Sequence, residues 1–163
     1  VAVTVGPGSF TGIRIGIAIA KALVFKKDIK MTAMNTLDLL AYETAYKGKI
    51  LSLIDARKER AYYALYENME KISEYSDGEL REFLEKYKED EILFTGDASY
   101  IYKEIIEEIM GSKAKFINKA RVFPRAGILA ERAVDLEEVN SVILEPYYHS
   151  KTQAEREKEL KSF

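Results

Sequence analysis

Eleven residues near the start of the chain, Gly6-Pro7-Gly8-Ser9-Phe10-Thr11-Gly12-Ile13-Arg14-Ile15-Gly16, have the composition of a phosphate-binding turn. Glycines let backbone N–H groups approach an anion, and a helix N-terminus adds a favourable dipole. The spacing excludes the common forms. A P-loop needs two glycines with four residues between them, then Lys and Ser/Thr. Counted from Gly6 the second glycine falls on Thr11, counted from Gly8 it falls on Ile13, and no lysine follows until Lys21. The dinucleotide pattern G-x-G-x-x-G accepts Gly6 and Gly8 but meets Thr11 in its third place. The turn reads instead as a sharp reversal at Gly6 and Gly8, with Gly12 and Gly16 giving the next helix close approach to a neighbour. Ser9 or Thr11 would cap that helix.

Other chemistries fail on residue supply. Zinc wants three or four His, Cys or carboxylate ligands, and this chain has one histidine, His149, and no cysteine. A serine nucleophile would need His149 beside it, and Gly8-Ser9-Phe10-Thr11-Gly12 lacks the G-x-S-x-G spacing. Glu107-Glu108 and Asp90-Glu91 sit in acidic runs that read as solvated surface. The sequence assigns no catalytic, cofactor-binding or metal-binding residue, and no cofactor.

The elements that would position any site follow from periodicity. Strands are expected over 1–5, 30–34, 50–55, 60–67, 70–75, 92–95 and 114–117, and helices over 10–26, 36–46, 79–88, 99–110 and 124–135. Leu80, Phe83, Leu84 and Tyr87 recur at helical spacing, as do Ile101, Ile105, Ile106 and Ile109. Pro124 suits a first helical turn. Tyr62-Tyr63-Ala64-Leu65-Tyr66 could stack bases, but a central strand covered on both faces explains it more simply. A strand–Gly turn–helix–strand–helix unit occurs twice, once from Val1 and once from Ile92.

Hydrophobic content of 47% with 32% charged residues describes a chain able to bury a core. No stretch reads as a membrane span, and the absence of cysteine is compatible with a reducing cytoplasm. The net charge of −2 hides an asymmetry: residues 67–110 carry 14 acidic and 5 basic side chains, whereas residues 1–66 carry 5 acidic and 10 basic. Solvated helix faces account for this, and no basic cluster is dense enough for a nucleic-acid footprint.

The segment Gly6-Pro-Gly-Ser-Phe-Thr-Gly-Ile-Arg-Ile-Gly16 closely resembles the signature of the TsaB (YeaZ) family. Three further segments resemble that family's elements in order: Asn35-Thr36-Leu37-Asp38-Leu39-Leu40-Ala41, Asp55-Ala56-Arg57-Lys58-Glu59-Arg60-Ala61-Tyr62-Tyr63, and Leu144-Glu145-Pro146-Tyr147-Tyr148, where His149 and Ser150 depart from the pattern. The resemblance implies an α/β, duplicated RNase H-like fold of the ASKHA (actin/hexokinase/Hsp70, actin-like ATPase) superfamily. The chain opens inside a strand without an initiator Met, so the first lobe is expected to be truncated at its N-terminus. The expected divisions are 1–48 for the remainder of the first lobe, 49–143 for the second, and 144–163 for a C-terminal tail. In that superfamily nucleotide lies between the lobes, held in part by hairpins. The corresponding hairpin here, Asp55 to Arg60, is charged and bulky, with Arg57 expected to pair with Asp55 or Glu59.

The helix over 10–26 is apolar nearly all round, which fits either a core helix or a helix shared between core and partner. The resemblance favours the partner. It implies a non-catalytic, dimerization and activating subunit of tRNA N6-threonylcarbamoyladenosine (t6A) synthesis that binds a TsaD-like catalytic subunit. It also implies a TsaE-like ATPase as a further partner, a possible homodimer, only indirect contact with tRNA, no membrane, and a cytoplasmic setting. Ile13, Arg14, Ile17, Lys21 and Val24 are the interface candidates. The rival functions are an ATP-binding phosphotransferase of the same superfamily and a metallopeptidase-like protein.

Overall fold

The computed structural model describes residues 1–148. His149 and most of the expected tail lie outside the described residues. The chain runs β1 (Ala2–Thr4), α1 (Phe10–Val24), β2 (Thr32–Met34), α2 (Thr36–Tyr42), β3 (Lys49–Asp55), β4 (Arg60–Glu67), β5 (Glu70–Lys71), β6 (Ser76–Glu79), α3 (Leu80–Tyr87), β7 (Ile92–Thr95), α4 (Ala98–Ile101), α5 (Lys103–Met110), β8 (Ala114–Phe116) and α6 (Ala126–Arg132). This is a mixed α/β architecture with two sheets.

The small sheet is the parallel pair β1–β2, with Val3 opposite Ala33. The larger sheet is ordered β5-β4-β3-β7-β8, and β6 also pairs with β4. β3 is antiparallel to β4 and parallel to β7, with Leu51 opposite both Leu65 and Phe94. Its two faces are buried separately. Leu51, Leu53, Ala61 and Leu65 pack on one side with α3 and α5 residues Leu84 and Ile106. Ile50, Ile54, Ala64 and Tyr66 pack on the other with Leu37, Leu40 and Ala41 of α2. The alternation read in Tyr62–Tyr66 is therefore that of a strand covered on both faces.

The helices cross between the sheets. α2 follows β2 in the chain but packs on β3 and β4, while α6, beyond the larger sheet, packs on β1. Leu39 of α2, Met34 of β2 and Leu129 of α6 share one cluster. α1 lies on β1 through Ile17, Ala20 and Val24.

Four boundaries differ from the sequence expectation for local reasons. α2 ends at Tyr42 because the Thr44 hydroxyl donates to the Ala41 carbonyl at 2.8 Å and accepts from Tyr46 N–H, which turns the chain. The strand expected over 70–75 keeps only Glu70–Lys71, since Ser73 Oγ accepts the Leu65 N–H at 2.8 Å in place of a ladder partner, and an unexpected strand, β6, starts at Ser76. The helix expected over 99–110 breaks at Tyr102, whose backbone leaves helical values (φ −106°, ψ 23°). α6 starts at Ala126, after an extended Arg125 whose side chain is drawn to Glu43, so Pro124 lies outside the helix.

Candidate functional site

α1 has two apolar sides of different fate. Ser9 caps it, its Oγ accepting the Gly12 N–H at 3.3 Å. Ile17 and Val24, 4% and 6% exposed, face the core beneath the helix with Ala20, Val3 and Met31. Ile13 packs at the edge of that cluster. On the outer side Ile15, Ile19 and Leu23 recur every four residues and are 55%, 57% and 49% exposed, with Phe25 exposed just beyond the helix. Exposed Thr11, Gly12, Ala18 and Ala22 flank that stripe and keep its relief low. A helix of neighbouring Ile and Leu side chains left in water is an unusual surface feature for a monomer.

The two basic candidates, seven residues apart, lie on another side of α1 and face a C-terminal segment. Arg14 Nε donates to the Tyr148 hydroxyl at 2.8 Å, and its guanidinium lies 4.0 Å over the Phe10 ring. Lys21 Nζ donates to the Val142 carbonyl at 3.0 Å. That segment runs beside α1 and β1, where Tyr147 N–H donates to the Val5 carbonyl at 2.8 Å. Between α1 and this segment lies an open groove of about 350 Å³ lined by Arg14, Ala18, Lys21, Leu144, Pro146 and Tyr148. Of the five interface candidates, then, Arg14 and Lys21 reach the surface, Ile13 is half-buried, and Ile17 and Val24 hold the helix to its own sheet. Ile15, Ile19 and Leu23, which the sequence reading did not name as interface candidates, are large apolar side chains of α1 that the fold leaves exposed. Both sides of the helix are apolar in sequence, and only the position of β1 decides which is covered.

The glycine turn is built around the chain itself. Gly6 has φ 113°, and a Cβ there would sit 2.9 Å from the Tyr147 carbonyl oxygen. Close approach at Gly6 thus admits a carbonyl oxygen, a neighbour that repels anions. Gly16 faces Val3 at ordinary contact distance, as expected of close helix packing, whereas Gly12 faces only Ser9 and solvent.

At the other sheet the β3–β4 hairpin is held from below. Asp55 Oδ1 accepts from the Arg57 N–H at 2.8 Å and from the Tyr102 hydroxyl at 2.6 Å. Asp97 Oδ1 accepts from the Asp55 N–H at 3.1 Å and from its own helix at Ala98 N–H. Burial pushes the Tyr102 phenol up to about 12, with the Asp55 hydrogen bond adding to it. Burial likewise raises the Asp97 carboxyl above its ordinary value. Asp55 therefore uses its carboxylate on the Arg57 backbone; among the described residues the exposed Arg57 guanidinium makes no ion pair with Asp55 or Glu59, contrary to expectation. Arg57, Lys58 and Glu59 all have φ between 55° and 65°, a left-handed run that no glycine relieves. Among the described residues no three His, Cys, Asp or Glu side chains gather as a metal site, and no helix is long and apolar enough to cross a membrane.

Residues 1–158 match the family model described as TsaD, tRNA N6-adenosine threonylcarbamoyltransferase. The chain is 32% identical over 162 residues to the tRNA threonylcarbamoyladenosine biosynthesis protein TsaB of Bacillus subtilis, covering 95% of this chain and 71% of that protein. It is 41% identical over 68 residues to TsaB of Escherichia coli, covering 40% of this chain and 29% of that one. Two solved structures from Pseudomonas aeruginosa share the fold at a TM-score of 0.69 and 22% identity. One is YeaZ, covering 90% of this chain and 72% of its own, and the other is an uncharacterized protein with similarity to peptidase YeaZ, covering 91% and 73%. On these matches the chain belongs to the TsaB (YeaZ) family of tRNA threonylcarbamoyladenosine biosynthesis proteins.

Proposed function

We propose that this chain is a non-catalytic, activating subunit of t6A synthesis, and that it binds a TsaD-type catalytic subunit through the outer face of α1. The observation that carries the reading is the exposed stripe Ile15, Ile19 and Leu23, with Arg14 and Lys21 reaching the surface on a second side of the same helix. Covering one such half-exposed side chain stabilises a complex by roughly 1 kcal/mol, so three with their small flanking residues can anchor a helix. Docking there holds the partner in its competent state. Ile13, Ile17 and Val24 contribute by fixing α1 on its sheet. A TsaE-type ATPase joins the same assembly, tRNA is reached through the catalytic subunit, a second copy of this chain competes for the same face, and the setting is the cytoplasm.

The internal repeat supports a duplicated RNase H-like fold, with residues 1–48 from the first lobe, 49–143 the second and 144–163 a tail. Gly6 and Gly96 end the corresponding strands β1 and β7, both with positive φ (113° and 91°). The helices that close the two units are exchanged, α2 onto the larger sheet and α6 onto β1. In this reading β7 and β8 correspond to β1 and β2, and among the described residues β1 pairs only with β2 whereas β7 also pairs with β3.

Light scattering on the chain alone, and mixed with a TsaD-type subunit with and without ATP, tests the function. A stable heteromer whose formation switches on ATP turnover by the partner is expected, and Ile19→Asp should abolish it. Absence of a heteromer, with ATP hydrolysis by this chain alone, would overturn the proposal in favour of a phosphotransferase.

A further inference from the structure

The seven-residue helix α2 is fixed by packing and by two carboxylates, Asp38 within it and Glu43 at its C-cap. Leu37, Leu40 and Ala41 lie on the larger sheet, and Leu39 lies against Met34 and Leu129 on the opposite side. Toward the larger sheet, Asp38 Oδ1 accepts from the Tyr66 hydroxyl and Oδ2 from the Tyr75 hydroxyl, both at 2.6 Å. Toward α6, the Glu43 side chain is fully buried. Its Oε1 meets Arg125 Nε, Arg121 Nε lies 4.0 Å away, and Arg121 Nη2 donates to the Glu43 carbonyl. The Arg132 guanidinium covers the Tyr42 ring at 4.3 Å.

A surface that slides between two layers is smooth, apolar and free of directional bonds across it. α2 has the opposite character. Two phenol hydrogen bonds on one side, and on the other the hydrogen bond from Arg121 to the Glu43 carbonyl with the ion pairs of Arg121 and Arg125 to the Glu43 carboxylate, must be given up before the sheets can change their angle. A buried carboxylate stripped of its cations is strongly unfavourable, so the exchange has no inexpensive intermediate. We infer that α2 locks the two sheets into one rigid body, with Glu43, Arg121 and Arg125 fixing the angle between them. The lobes then do not close on a ligand between them, ATP–Mg²⁺ included, and the α1 face keeps one orientation relative to the β3–β4 hairpin. This holds whatever α1 binds.

The chain contains no cysteine, so Asp28→Cys with Glu82→Cys places spin labels at exposed sites on opposite sides of the lock. Pulsed electron paramagnetic resonance on the full chain should give one narrow distance, unchanged by saturating ATP–Mg²⁺. Glu43→Gln should lose that single peak by broadening or splitting it while far-UV circular dichroism shows the helices intact. The double variant Arg121→Gln/Arg125→Gln gives the same reading from the other side of the contact if Glu43→Gln does not fold. A broad or bimodal native distance, a shift on adding ATP–Mg²⁺, or a narrow peak that survives in the folded variant would each overturn the inference.

Discussion

The hydroxyl of Tyr66 donates to Oδ1 of Asp38 at 2.6 Å, a hydrogen bond that ties the central strand β4 to helix α2 across their packed interface. Burial, with the Asp38 carboxylate adding to it, pushes the Tyr66 phenol well above its ordinary range, so it stays a donor at every physiological pH. Tyr66→Phe keeps the ring in its cluster and removes the donor. A hydrogen bond to a charged group contributes about 1.5–3 kcal/mol, so a loss of that order is expected in chemical denaturation. Asp38→Asn should cost less, since an amide oxygen still accepts one phenol. Equal stability of Tyr66→Phe and the native chain would show that Tyr75 alone satisfies Asp38.

Ile17 and Ile19 are two residues apart on α1 and should behave oppositely. Ile17 lies under the helix against Val3 and Met31, so Ile17→Ala removes buried volume and should cost about 2–5 kcal/mol. Ile19 points to solvent, so Ile19→Asp should leave the melting temperature of the isolated chain nearly unchanged. Partner binding should follow the reverse order in a pull-down at matched folded concentration. Loss of stability in Ile19→Asp would mean that the outer stripe is covered within the chain.

The β3–β4 hairpin carries strain that can be relieved. Lys58 has φ 55° in the middle of its left-handed run. Each such residue costs roughly 1–2 kcal/mol relative to its preferred region. Glycine has no such penalty, although it also gains freedom in the unfolded chain. Lys58→Gly is therefore expected to stabilise the protein, by up to about 1 kcal/mol in urea unfolding. A destabilised variant would place the Lys58 side chain in a contact that the exposed hairpin does not show.

Much of this architecture is legible in residue types because local signals agree there. Asn35 caps α2 by accepting the Leu37 N–H, as its place before an apolar run suggests. Alternation in Tyr62–Tyr66 gives both faces of β4 correctly because the strand is central and each face meets its own apolar layer. What periodicity leaves open is the choice between two equally apolar helix sides. Ile13, Ile17, Ala20 and Val24 fit one helical face and Ile15, Ile19 and Leu23 another, and the deciding object is a strand that is distant in neither chemistry nor sequence but carries no mark of its direction. Glu43 shows the opposite gap. Its partners Arg121 and Arg125 are about eighty residues away, so nothing local separates it from the surface carboxylates around it.

Asp97 gives the fold a pH dependence with a defined sign. Its carboxyl is raised in the folded chain, first by burial, with the Asp55 and Ala98 N–H groups opposing the shift. The unfolded chain therefore gives up this proton more readily than the folded one. The stability tied to Asp97 is fully present below the ordinary carboxyl value of about 3.9, falls as pH rises through the higher folded value, and is lost above it. Asp97→Asn keeps an Oδ1 to accept from Asp55 and Ala98 and removes the charge. Its melting temperature should exceed that of the native chain near pH 7, and the advantage should shrink toward zero near about pH 3 as the native carboxyl protonates. A variant less stable than the native chain at neutral pH would mean that the two backbone N–H groups bind the carboxylate more strongly than burial disfavours it.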